Sequence, residues 1–121
     1  MNISGEINIG YITKNIEFDG IGANEEILIQ TENSTYRFAI ADAETRRGFL
    51  SGGTLGNTPR VAILMGAISR DGERYVNDPL SLKIASRAFF YLETENGMKH
   101  LITSVITNLA HIKNEAQKYI F

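Results

Sequence analysis

The 121-residue chain has no cysteine, no tryptophan, two prolines and two histidines. Without cysteine there is no disulfide framework, no thiolate metal site and no cysteine nucleophile. His100 and His111 alone leave little imidazole from which to build a metal centre or a catalytic base. Net charge is also small, because 12 basic side chains against 14 acidic ones give −2. Nucleic-acid modules draw much of their affinity from phosphate contacts and carry a basic excess, so this balance argues against a nucleic-acid partner. No apolar run approaches the roughly 18 residues of a membrane span, and no membrane partner is expected. The N-terminal stretch lacks the basic segment and apolar core of a secretory signal, which makes a cytoplasmic chain the expectation.

What is present suits a folded domain. Hydrophobic residues at 43% supply one core at this length without covalent staples, and a single domain over residues 1–121 is expected.

The chain is organised around residues 85–106, two β-rich arms meeting at Asn96-Gly97. Asn-Gly tolerates the positive φ of a two-residue hairpin turn. A turn at those residues sets Glu93 against His100, Leu92 against Leu101, Phe90 against Thr103 and Ala88 against Val105. Ala88, Phe90, Leu92, Leu101 and Val105 then share one face, and Phe89, Tyr91, Ile102 and Ser104 the other. Neither face is polar, so both are expected to be at least partly covered. A second hairpin turns at Asn33-Ser34 and sets Ile29 against Phe38 and Ile27 against Ile40. Its tip, Thr31-Glu32-Asn33, echoes Thr94-Glu95-Asn96; the flanks do not extend the match, which reads as recurring turn chemistry.

Ile7, Ile9 and Tyr11 alternate with polar residues as in a half-buried strand, with Gly10 a candidate bulge or bend. Residues 60–68 form an apolar run bounded by Pro59 and Asp71-Gly72, which suits a buried strand, and Tyr75-Val76 a short edge segment. Residues 42–59 are the longest stretch without periodicity, rich in Gly, Ser, Thr and Asn. They read as a loop, with one helical turn over 43–47 capped by Asp42. Loops of that length are uncommon and often functional, so a site is sought there first. Val105, Leu109, Ile112, Ala116 and Ile120 fall at helical spacing, which predicts strand to about Thr107 and a short C-terminal helix beyond. The sum is an all-β domain, a small antiparallel barrel or two-sheet sandwich of about six to eight strands.

The hairpin carrying Thr31, Asn33, Ser34 and Tyr36, the Gly52-Gly53 pair and the closing segment Leu101–Ser104 resemble a small uncharacterised bacterial all-β protein family. Its pattern is a Thr-x-Asn-Ser-x-Tyr hairpin followed by a Gly-Gly loop. The resemblance spans about two thirds of the chain. It implies a compact β fold and no particular activity.

Chemistry is sparse. Ser51-Gly52-Gly53-Thr54-Leu55-Gly56, with Arg46-Arg47 upstream, has the glycines of a phosphate cradle. It lacks the lysine of that motif and no helix follows, so a flexible loop is the simpler reading. Glu93 opposite His100 is half of an acid–base or metal pair, or an ordinary surface contact. No G-x-S-x-G elbow is present, and Asp42 and Glu44 make no glycosidase pair. No catalytic residue, metal or cofactor is assigned; the candidate ligand contacts are Tyr36, Arg46, Arg47, Ser51, Gly52 and Gly53. The reading is a non-enzymatic protein-interaction or self-association module, whose partner is another copy or another protein. The alternative is a small-ligand-binding barrel with the 42–59 loop at its mouth and a cavity lined by Tyr36, Phe38 and Phe90. An enzyme comes third.

Overall fold

Period-two alternation runs through most of residues 8–114, the stretch that the computed structural model describes. Ten strands result: β1 Asn8–Thr13, β2 Asn15–Glu17, β3 Glu26–Thr31, β4 Thr35–Asp42, β5 Arg47–Gly52, β6 Arg60–Asp71, β7 Arg74–Asp78, β8 Ser81–Lys83, β9 Arg87–Thr94 and β10 Gly97–Asn114. Six of them, β3, β4, β5, β6, β9 and β10, pair antiparallel in that order, and β10 returns to β3. This is a closed barrel. β1 adds to β10, β7 adds to β6, and β2 pairs with β8 as a second, small sheet.

Alternate residues of each barrel strand point inward and fill the interior. Ile27, Ile29, Phe38, Leu50, Ala62, Leu64, Ala88 and Phe90 are fully excluded from solvent. Phe38 and Phe90 meet edge to face, with ring centroids 5.3 Å apart. Ile16, Phe18, Ile21 and Leu82, from the small sheet and the segment around its first strand, join the same core.

Both hairpins differ from the expected register by two residues. Met98 lies opposite Glu93 and His100 opposite Tyr91; Ile29 lies opposite Tyr36 and Ile27 opposite Phe38. A threonine hydroxyl causes the shift in each case. Thr94 Oγ1 accepts from the Asn96 amide and donates to the Gly97 carbonyl. Thr31 Oγ1 accepts from the amides of Asn33 and Ser34 and donates to the Ser34 carbonyl. The threonine thereby starts each turn, and at the first tip the positive φ falls on Gly97 (+108°), not on Asn96. Because the shift is even, side chains up to Ile102 keep their faces; past the bulge between Ile102 and Val105, Val105 lies opposite Arg87 and leaves the face expected for it.

Three other expectations are corrected. The 42–59 stretch is not one long loop, since it contains β5, a central barrel strand. Its glycines are there for close strand approach: a Cβ at residue 48 would overlap the Ala39 carbonyl oxygen, and one at residue 52 that of Thr35. Among the described residues no helix begins after Thr107, because β10 continues to Asn114; the remainder of the expected helix lies outside them. Gly10 makes no bulge, as β1 pairs with β10 in unbroken register.

Gly48→Ala is therefore expected to destabilise the fold by about 1–3 kcal/mol, the usual cost of overpacking. Gly20→Ala, whose new methyl meets nothing within 4 Å, should stay within about 0.5 kcal/mol. Urea unfolding of the two variants measures the difference.

Candidate functional site

The six candidate ligand contacts separate into two groups at opposite ends of β5. Tyr36, Ser51 and Gly52 line a shallow depression of about 370 Å3 together with Leu28, Thr35, Arg37 and Asn57. Gly53 lies directly beneath the Tyr36 ring, where any side chain would collide with the phenol. The glycine turn also consumes its own amides: the Gly52 N–H donates to the Gly56 carbonyl at 2.7 Å, and the Gly56 N–H to the Gly53 carbonyl. Those two amides are thus already engaged within the turn.

Arg46 and Arg47 stand at the other end, each with its own partner. Arg46 Nε donates to the Leu64 carbonyl at 2.9 Å, and its guanidinium lies 5.4 Å from the centroid of the Phe18 ring. Arg47 pairs with Glu93 at 2.9 Å on the barrel exterior. That pairing replaces the expected Glu93–His100 contact. His100 instead stacks on Tyr91, with centroids 4.8 Å apart and planes at 20°, and meets Phe89 edge-on.

The outer wall of the barrel is more apolar than its interior role requires. Register sets Phe49 beside Val61, Ile63 beside Tyr91, Tyr91 beside His100 and Phe89 beside Ile102. These side chains share the exterior face of β5, β6, β9 and β10, with Met98 at the margin. Phe49, Met98 and Ile102 remain close to half exposed. Phe89 and Tyr91 pack edge to face at 5.4 Å and are only partly covered by their neighbours. The Arg47–Glu93 ion pair borders the patch.

A second feature was not visible in the chain. His111 is buried, and its Nε2 lies 2.8 Å from Glu25 Oε1. Glu25 also accepts from the Gly22 amide at 2.7 Å, and its carbonyl accepts from the Ile40 amide. The pair therefore ties the end of β10 to the segment leading into β3. His111 also borders an open cleft of about 450 Å3 lined by Tyr11, Asn15, Ile16, Glu17 and Lys113, among others. Reading strand instead of helix beyond Thr107 would have turned His111 inward beside Leu109. Its partner, 86 residues away in the chain, carries no local signal. Among the described residues, no group of three or more potential metal ligands comes together.

Comparison with protein-family models, curated proteins and solved structures yields no match. Function is argued from this chain's own surfaces.

Removing one partner of a buried hydrogen-bonded pair leaves the other unsatisfied. His111→Ala and Glu25→Ala should each cost about 1–3 kcal/mol, with the double variant costing clearly less than the sum. The exposed Arg47–Glu93 pair should show a coupling below about 1 kcal/mol in the same thermal-unfolding cycle.

Proposed function

We propose that the protein is a non-enzymatic interaction module that associates with another protein chain, of its own or a different sequence, through the outer wall of β5, β6, β9 and β10. The observation that carries this reading is the contiguous exterior patch of Phe49, Val61, Ile63, Phe89, Tyr91 and Ile102. A barrel needs apolar residues on its inner face only, and the outward positions are free to be polar. Aromatic residues and methionine are what association surfaces enrich at their centres, with charged groups at the rim. Patches of this kind on a folded surface mark contact sites for protein chains.

The alternative is a barrel that holds a small ligand inside. Phe38 and Phe90 would have to line that space, and both are fully buried against each other. A ligand would have to displace them, so this observation favours the outer wall over the interior. The depression beside Tyr36, at about 370 Å3, is shallow and smaller than the open cleft of about 450 Å3 beside His111.

The test is sedimentation velocity on the wild type and on a Phe49→Lys, Ile102→Glu double variant. Both positions are exposed, so folding stability should change by no more than about 0.5 kcal/mol per site. The wild type should sediment above the 13.4 kDa of one chain. The double variant should show a smaller assembly or an association at least tenfold weaker. An unchanged assembly in the variant contradicts the reading.

A further inference from the structure

Closing six strands into a barrel removes their edges, but β7 lies outside the ring. It pairs with β6 from Asp71↔Arg74 to Ala67↔Asp78, and no described strand pairs with its outer side. β9 stops accompanying β6 at Ile68. Beyond that point the end of β6 and β7 form a two-stranded ribbon, an arrangement of marginal stability by itself.

Edge strands are usually protected by charged side chains, lysine above all, by an internal proline, a bulge or shortness. β7 has five residues, Arg-Tyr-Val-Asn-Asp, with its two charges of opposite sign at the ends, no lysine and no internal proline, Pro79 following the strand. Its register with β6 is unbroken. Tyr75 is 72% exposed and Val76 46%. A β-rich, open strand of this kind is a template for another strand.

We propose that β7 pairs antiparallel with β7 of a second copy of this chain, about a two-fold axis passing through Val76. The two ribbons then become one four-stranded sheet. The choice of a second copy rests on the self-complementarity of the strand. Centring on Val76 sets each Tyr75 opposite Asn77 of the other copy and each Arg74 opposite Asp78, so both ends carry opposite charges. Centring instead on Tyr75 would set Arg74 against Val76, and centring on Asn77 would set Asp78 against Val76, so neither pairs the opposite charges. Arg74 makes no ion pair among the described residues. Asp78 is kept ionised where it stands: its carboxylate accepts from the Leu80 amide and the Ser81 hydroxyl and lies 3.2 Å from Lys83 Nζ. These contacts, the Leu80 amide foremost, hold it below the usual carboxylate range. This contact is separate from the outer-wall patch, and either one can fail without the other.

Because the chain has no cysteine, Val76→Cys carries a single thiol. Two such thiols on a two-fold axis lie within the Cα separation a disulfide bridges. Mild oxidation of the full chain at micromolar concentration should convert Val76→Cys largely to a covalent dimer. Glu95→Cys, at the exposed β9–β10 tip, should give at least fivefold less. Separately, Val76→Lys should weaken dimerisation at least tenfold in sedimentation while leaving the circular dichroism unchanged. Equal cross-linking at the two cysteines overturns the inference. So does an assembly that survives Val76→Lys and is lost in the Phe49→Lys, Ile102→Glu variant, a result that would leave the outer-wall reading standing. Loss in Val76→Lys alone supports the β7 contact, and a monomeric wild type overturns it.

Discussion

The barrel closes at one place, where β10 leaves β9 and joins β3, and the remaining strands depend on that crossing. Thr103 Oγ1 accepts from the Ala88 amide on the β9 side, and the Ile106 amide and carbonyl bond Ser86 and Ala85. On the β3 side the Val105 carbonyl accepts from the Glu32 amide, and Ser104 Oγ donates to Thr31 Oγ1 at 2.6 Å. Four consecutive residues thus hold two strands that would otherwise be open edges. The same Thr31 hydroxyl organises the β3–β4 turn. Closure and hairpin register are therefore linked through one side chain.

That crossing also explains which features were legible in the sequence. Alternation in residues 27–40 and 87–94 revealed the strands and their two faces, because a register error of two residues does not exchange faces. The register itself was hidden, since the competing partner was a threonine hydroxyl rather than a residue in the turn. β10 was misread for a related reason. Its register shifts near Thr103–Val105 and again near Thr107, so the buried positions run Thr103, Ile106, Leu109, His111. Of the residues at helical spacing, Val105, Leu109 and Ile112, only Leu109 is among them. β5 was hidden by Gly48 and Gly52, which look like loop residues but serve the close packing of β4 against β5.

The candidate site was legible only in part. Tyr36 and the Ser51–Gly53 run do come together, because β4 and β5 are neighbours and Tyr36 pairs with Gly52. Arg46 and Arg47 stand at the start of β5, the end away from Gly52, where Arg46 bonds Leu64 of the neighbouring β6 and Arg47 meets Glu93 of β9. Glu25 and His111 meet because β10 pairs with β3. Long-range pairs of this kind depend on topology, and a single chain read locally does not contain it.

The two surfaces proposed for association are the apolar wall and the β7 edge, while the interior is packed with its own side chains. The central claim is that association, not an enclosed ligand, is what this barrel provides. Native mass spectrometry of the protein purified gently from its own host tests it most directly. The account predicts an assembly of two or more chains with no reproducible small-molecule excess. A monomer carrying a constant added mass would contradict it and point to a ligand, and a bare monomer at micromolar concentration would contradict it as well.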